Sequence, residues 1–292
     1  MTLVLIVMGA TVTSKDAGLS VPDWPTSFGS IYKIPAMVGG VKYEHSHRMF
    51  AEFVGLLIIG MAAWTQRVER RGWMKALGWI ALVVVIGQGI LGGLTVRYGL
   101  PWYISTAHAT MGQTLFCLVT VMALFTSKSW LQETDPFAES GLPVSTPTLT
   151  AVAAVCVWVQ LILGAAFRHT GMRIWPHLVG ACVVAAILCW TVLRIMTRYN
   201  GVEQLRRPTQ VLLAMLLLQL GLGFAAYVSR LVWMMDPSPT TIWIVLSTVA
   251  HVAGGAIVLV TSVLLAIQAR RMIRVGGQER AMASTSRKAV AA

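Results

Sequence analysis

The sequence predicts an all-α integral membrane protein of eight transmembrane helices, arranged as two pseudo-symmetric four-helix bundles. Three observations carry this expectation. Of 292 residues, 56% are hydrophobic and 12% charged, about half the charged share of a soluble domain, so a soluble globule of this length could not hide its apolar surface. The basic residues fall between apolar runs in an alternating pattern. The second half of the chain repeats features of the first. The same composition excludes disorder, a disulfide-built secreted scaffold and a nucleic-acid-binding domain. The expected surroundings are a lipid bilayer, and no nucleic acid partner is expected.

A helix needs about 20 apolar residues to cross a bilayer. Taken in order, the expected spans are Met1–Thr13, Met49–Thr65, Ala76–Val96, Ile104–Phe125, Thr148–Phe167, Ile174–Ile195, Val211–Val228 and Thr241–Ala269. The first is short for a crossing, and the last is long enough to protrude. The first lacks a basic stretch ahead of it, so no cleavable signal peptide is expected. Its successor is preceded by the longest loop, about Ser14 to Arg48. With Trp24, Pro22, Pro25, Pro35 and several Gly, it reads as an ordered cap over one membrane face.

The chain holds 23 Lys and Arg against 11 Asp and Glu, a net charge of +12. Arg67, Arg70, Arg71 and Lys75 follow the second span, and Arg194, Arg198, Arg206 and Arg207 the sixth. Arg270, Arg271, Arg274, Arg280, Arg287 and Lys288 follow the eighth. With Lys128, one face carries fifteen of the 23 basic residues, which makes it cytoplasmic by the positive-inside rule. Both termini are then cytoplasmic. The division expected is an N-terminal half over 1–126, a cytoplasmic linker over 127–147, a C-terminal half over 148–270 and a basic cytoplasmic tail over 271–292.

The repeat supports the two halves. Gln88-Gly-Ile-Leu-Gly-Gly-Leu-Thr-Val-Arg97 in span three matches Gln219-Leu-Gly-Leu-Gly-Phe-Ala-Ala-Tyr-Val-Ser-Arg230 in span seven. Ser105-Thr-Ala-His108 matches Ser247-Thr-Val-Ala-His251, and Gly9-Ala answers Gly164-Ala. Each half therefore carries one His on its second helix and one on its fourth: His47 with His108, and His177 with His251. Ionisable residues in a membrane are costly and mark function. Two His facing each other inside a bundle are placed to ligate a haem iron from both sides. Gly112 and Gly255, four residues beyond His108 and His251, fall on the same helix face and are expected to leave room for the flat macrocycle.

Arg48, Arg97, Arg168, Arg173 and Arg230 sit at outer helix ends, against the charge bias. Arg48, Arg97, Arg168 and Arg230 are candidates for the haem propionates, which a guanidinium binds bidentately; snorkelling to lipid headgroups is the alternative. Glu44, three residues before His47, is read as orienting that His, accepting a proton near a substrate, or capping the helix. Glu52 lies inside span two, as a proton-relay group or the partner of an Arg elsewhere. His45 and His169 have no counterpart in the repeat and are read as structural. Cys117, Cys156, Cys182 and Cys189 lie inside apolar runs without metal-type spacing and are read as small core residues. The Gly89–Gly93 pair is read as close helix packing.

Gly18-Leu-Ser-Val-Pro-Asp-Trp-Pro-Thr-Ser-Phe-Gly29, Glu44-His-Ser-His-Arg48, Gly87-Gln-Gly-Ile-Leu-Gly-Gly-Leu-Thr-Val-Arg97 and the His108, His177 and His251 helices together resemble the haem A synthase family, over nearly the whole chain. The resemblance implies eight transmembrane helices in two similar halves, in a bacterial-type plasma membrane. It implies oxidation of the C8 methyl group of haem O to a formyl group through a hydroxymethyl intermediate, haem I, giving haem A for terminal oxidases. By motif match, His177 and His251 would ligate a resident haem b, and His47 and His108 would hold the substrate haem O. Glu44 would be tied to the oxidation chemistry. The partners implied are haem O synthase (protohaem farnesyltransferase) and the assembly of a terminal oxidase. Many bacterial members carry a cysteine pair in the first outer loop; Val21 and Ser27 stand at those positions here. Two other readings use the same four His: a dihaem cytochrome b exchanging electrons with quinone, and a haem-binding transporter or sensor.

Overall fold

The computed structural model describes residues 1–31, 33–235 and 242–275, with the side chains of 232–235 excluded. Its helices are α1 (Thr2–Ser14), α2 (Val41–Val68), α3 (Gly72–Arg97), α4 (Trp102–Thr126), a single turn α5 (Lys128–Leu131), α6 (Thr146–Arg168), α7 (Trp175–Arg198), α8 (Glu203–Met235) and α9 (Ile242–Met272); two short strands, β1 (Phe137–Glu139) and β2 (Ile273–Val275), complete it. Seven helices, α2–α4 and α6–α9, are long and apolar enough to cross a membrane. The eighth expected span is α1. At 13 residues it is about 20 Å long, against a hydrocarbon core of about 30 Å.

The helices extend past the apolar runs that announce them, because a polar residue in the first or last turn does not interrupt a helix whose backbone bonds are already being made. The second span thus begins at Val41, a full two turns ahead of Met49, and brings Glu44, His45 and His47 onto a helix. Ends are closed by local chemistry. Ser145 caps α6, its side chain accepting from Thr148 N at 3.3 Å, with Pro147 in the first turn. Pro176 sits in the first turn of α7.

α9 is the central helix: it packs against α1, α4, α6 and α8. Half of its most apolar stretch is buried, against 11% for α3 and α8, which lie at the periphery. One core joins Leu188 and Ile195 of α7, Leu205 and Leu212 of α8, and Leu259 and Leu265 of α9. A second joins Val54 and Ile58 of α2, Met74 and Ala81 of α3, and Leu115 and Met122 of α4. α1 is packed on α2 and α4 and also on α9, so it touches both cores' helices.

The polar segment after α4 is more ordered than its composition suggests. β1 pairs in parallel with β2, Phe137 opposite Ile273 and Glu139 opposite Val275. The buried Glu139 carboxylate accepts from Thr146 N at 2.7 Å, from the Thr146 hydroxyl and from the Tyr199 hydroxyl at 2.7 Å. Burial alone would raise the Glu139 carboxyl; the bonds from Thr146 and Tyr199 and the charge of Arg194 outweigh it and hold it below its ordinary value. Tyr199 is pushed up to about 12 by burial and by that carboxylate. Three ring contacts close the same end: Arg271 lies 4.4 Å from the Trp130 ring centre, Trp130 packs on Phe125, and Phe125 on Trp73. Of the expected basic tail, Arg271 and Arg274 are described; Arg280, Arg287 and Lys288 lie outside the described residues.

Candidate functional site

The four repeated His share one local geometry. Each ring lies against a Gly of the preceding membrane helix, so closely that a methyl group there would collide with it. On Gly9 of α1 the methyl would come 3.0 Å from His47 Cε1, and on Gly92 of α3 it would come 3.2 Å from His108 Cε1. On Gly164 of α6 it would come 2.8 Å from His177 Cε1, and on Gly223 of α8 it would come 2.9 Å from His251 Cε1. At Gly164 and Gly223 the approach is closer than real side-chain carbons make, and at Gly9 and Gly92 it is tighter than nearly all of them, so glycine lets backbone and imidazole touch.

The structure brings His177 and His251 together. Their ring centres are 6.2 Å apart and the planes stand at 87°. With a metal–imidazole bond of about 2 Å on each side and a ring nitrogen roughly 1 Å from its ring centre, two axial imidazole centres lie roughly 6 Å apart. The pair therefore fits one iron between two rings. His47 and His108 also lie within electrostatic reach of each other. Nδ1 of His47, His108 and His251 is buried without a hydrogen-bond partner, and buried polar atoms are rarely left so.

Sequence reasoning missed a second repeated feature. Three of the four glycines stand four residues after a Gln: Gln88 before Gly92, Gln160 before Gly164, Gln219 before Gly223. Gln160 Nε2 donates to the His177 carbonyl at 2.8 Å and lies 3.0 Å from His177 Nδ1. Gln219 Nε2 donates to the His251 carbonyl at 3.0 Å. The main-chain carbonyls of Gln88, Gln160 and Gln219 lie within electrostatic reach of His108, His177 and His251. A metal-bound imidazole is oriented by what its other nitrogen and its backbone meet, and these amides stand at that place. The recurring Gln-x-x-x-Gly spacing is the signal that could have found them.

This corrects one expectation. The space beside Gly112 and Gly255, expected for the macrocycle, holds protein side chains: a methyl on Gly112 would come 2.7 Å from Gln88 Nε2, and one on Gly255 would come 3.3 Å from Gln219 Nε2 and 3.0 Å from Leu161. The Gly89–Gly93 pair is not a helix-packing seam either. Nothing lies within 4 Å of a methyl on Gly89, while Gly93 is covered by the Trp24 ring of the long loop.

Glu44 and Arg48 form a clamp on that loop. Glu44 Oε2 accepts from Val21 N at 2.8 Å, and its Oε1 accepts from Arg48 Nη2 at 2.6 Å. Arg48 Nη2 also donates to the Val21 carbonyl at 3.0 Å, and Nη1 donates to the carbonyls of Asp23 at 2.6 Å and Thr26 at 3.2 Å. The Arg48 guanidinium is therefore committed to the loop. Within the loop, Asp23 accepts from Thr26 Oγ1, from Gly29 N at 2.8 Å and from Phe28 N at 2.7 Å. Those bonds, from Thr26 first and Gly29 next, pull its carboxyl down to about 2. Val21 and Ser27 are both buried, and Ser27 Oγ lies 3.2 Å from His45 Nδ1. His45 thus has a structural partner in the loop.

The remaining arginines divide. Arg168 crosses to α1, its Nη2 donating to the Ala10 carbonyl at 2.9 Å and to Ser14 Oγ at 2.7 Å; Ser14 in turn meets Thr248 Oγ1 of α9 at 2.8 Å. Arg97 and Arg230 are exposed at the ends of α3 and α8 and hold no bond among the described residues. His169, one residue beyond α6, is lowered to about 4 by burial and by the charges of Arg168 and His108. Glu52 is exposed on α2, away from the buried Val54 and Ile58.

Comparison with known proteins fits this geometry. The sequence model of a family described as "Cytochrome oxidase assembly protein" matches residues 41–172. A protein of Shouchella clausii named "Heme A synthase" is 28% identical, over 75% of this chain and 70% of its own length. One of Shewanella oneidensis with the same name is 24% identical, over 90% of this chain and 91% of its own. The chain is a homologue of the haem A synthases. A third haem A synthase, of a Jannaschia species, is 30% identical over 41% of this chain and 34% of its own length. The alignment with the Shewanella haem A synthase spans nearly all of this chain, so the likeness extends well past the family match at 41–172.

Proposed function

We propose that this chain acts in haem A production as a membrane oxidoreductase, converting the C8 methyl group of haem O to a formyl group by way of haem I. The observation that carries the reading is the His177–His251 pair, 6.2 Å apart with planes at 87°, on a homologue of the haem A synthases. His177 and His251 would hold a resident haem b, which when bound supplies one-electron redox chemistry. His47 and His108 would hold the substrate, haem O. Each ring's Gly seat fixes its distance from the preceding helix, and Gln88, Gln160 and Gln219 orient three of the rings.

In this reading α1–α4 and α6–α9 are two equivalent halves, with α1 in the place of the eighth span, and the loop 15–40 faces outward. The basic residues of the opposite end then face the cytoplasm, with both termini there, in a bacterial-type plasma membrane. Arg97 and Arg230, at matching places and uncommitted, take propionates. Arg48 and Arg168 contribute by fixing the loop and α1. Glu44 lies one helical turn before His47 and serves the oxidation site as a positioning residue, holding the loop above it. A haem O synthase supplies the substrate and terminal oxidase assembly consumes the product.

Co-expression with a haem O synthase, followed by haem extraction and mass analysis, tests this. Haem I or haem A beside haem b is the expected result. Haem b alone at two per chain would overturn it in favour of an electron-transfer cytochrome. His177→Ala and His251→Ala should remove the tightly bound haem b spectrum. His47→Ala and His108→Ala should abolish haem A while sparing most haem b.

A further inference from the structure

The four histidine seats are alike except at one. Four residues before the glycine, α3, α6 and α8 place Gln88, Gln160 and Gln219, and α1 places Leu5. The facing helix changes with it. Beside each Gln the facing helix carries a Gly three or four residues past its His: a methyl on Gly112 would come 2.7 Å from Gln88, one on Gly180 2.2 Å from Gln160, and one on Gly254 2.4 Å from Gln219. Past His47 the corresponding residues are Phe50 and Ala51. Leu5 and Phe50 both pack against the apolar cluster of Val54 and Ile58. An amide in a glycine slot has been exchanged for two apolar side chains, within one chain and at one of four equivalent places. The Glu44 and Arg48 bonds on this turn of α2 run to the loop and to each other, and none of them ties it to a neighbouring membrane helix.

We propose that His47 is the exchangeable axial ligand, and that Gln88, Gln160 and Gln219 are positioning residues that keep the other three histidines fixed. This rests on the proposed function, in which one haem stays and the other enters and leaves. An amide bonded to the histidine's own carbonyl ties its helix to the neighbour, so the ring moves only if that bond breaks. The apolar packing of Leu5 and Phe50 on that cluster has no direction and lets the α2 turn shift. The resident pair carries two such ties, at Gln160 and Gln219. In the substrate pair an amide stands beside His108 alone, Gln88 filling the slot at Gly112, so release begins at His47 while His108 stays in place.

The test is haem transfer from the full-length, haem-loaded protein in detergent to excess apomyoglobin, followed by absorbance. Two phases are expected, fast from the His47–His108 pair and slow from the His177–His251 pair. Leu5→Gln with Phe50→Gly installs the missing tie and should slow the fast phase roughly three- to tenfold, the worth of one hydrogen bond. Gln219→Leu removes a tie and should speed the slow phase by a similar factor, with a changed low-spin electron paramagnetic resonance signal. An unchanged fast phase in the Leu5 and Phe50 variant, or an unchanged slow phase in Gln219→Leu, overturns the inference and leaves the proposed function standing. If the double variant fails to fold, Gln160→Leu and Gln219→Leu decide alone. If His47→Ala leaves the fast phase intact, the first pair holds no haem, and the functional reading falls with the inference.

Discussion

Replacing Gly164 with alanine is the sharpest probe of the paired histidines. The new methyl would stand 2.8 Å from His177 Cε1 and 3.2 Å from Nδ1. Relief to an ordinary contact of about 3.4 Å needs the ring to retreat by roughly 0.6 Å, and overpacking of this kind costs about 1–3 kcal/mol. His177 is poorly free to retreat, since Gln160 holds both its carbonyl and its Nδ1. A metal–ligand distance tolerates only about 0.2 Å, so a displaced ring gives up its bond or strains it. The expected outcome is loss or strong weakening of one axial bond, read as a fall in bound haem b per chain and a low-spin to high-spin change in the visible spectrum.

The other three seats turn this into a series. By the same measure Gly223→Ala, at 2.9 Å, should be nearly as damaging, Gly9→Ala at 3.0 Å intermediate, and Gly92→Ala at 3.2 Å the mildest. Gly164→Ala and Gly223→Ala should strike the tightly bound haem, and Gly9→Ala and Gly92→Ala the other pair. A Gly164→Ala protein with full haem b content, an unchanged low-spin spectrum and an unchanged melting temperature would refute the idea that these glycines set the ring positions.

Three further outcomes follow from the parts that hold the site. Arg48→Met strands the buried Glu44 carboxylate, which is 4% exposed, at a cost of about 3–5 kcal/mol; hydrogen exchange over 18–29 should accelerate, and unchanged protection there would show that another contact orders the loop. Tyr199→Phe deletes a 2.7 Å bond to the Glu139 carboxylate and should destabilise by about 1.5–3 kcal/mol, read as a lower melting temperature in detergent. His169 is lowered from 6.5 to about 4 in the folded chain, so its contribution is whole above pH 6.5 and is lost as pH falls toward 4; His169→Asn should flatten the melting temperature against pH in that window, and a profile parallel to the unaltered chain would sink the assignment.

Much of this molecule was legible in its sequence, for identifiable reasons. The seven long helices follow from apolar runs alone, since a chain in lipid must satisfy its backbone within each segment. The four His could be read because they recur at matching places in the two halves. What stayed hidden needed register between helices. Nothing local says that Gly164 faces His177, or that Gly112 is filled by Gln88 and not by empty space. The loop clamp was half visible: Glu44 and Arg48 lie one turn apart on α2, but their partners are main-chain atoms of Val21, Asp23 and Thr26, which leave no trace in composition. β1 and β2 were illegible because three residues of ordinary polarity, 136 positions apart in pairing, carry no period.

The arginines make the same point about chemistry. Four of them were equivalent by sequence: cationic groups at outer helix ends, each able to meet a carboxylate. The structure separates them by what already occupies their donors. Arg48 is committed to three loop carbonyls and Glu44, and Arg168 to the Ala10 carbonyl and Ser14. A guanidinium bound in that way has little left for a ligand, and moving it would uncap buried acceptors at a cost of about 1–3 kcal/mol each. Arg97 and Arg230 carry no such commitments among the described residues, so an incoming propionate meets donors whose only cost is leaving water. Losing Arg97 or Arg230 should therefore weaken haem binding with little change in fold, whereas losing Arg48 or Arg168 should disturb the loop or the seat of α1 first and haem only as a consequence. Melting temperature and haem content measured on the same four leucine variants separate the two classes: a variant of Arg97 or Arg230 that loses stability but keeps its haem would reverse the assignment.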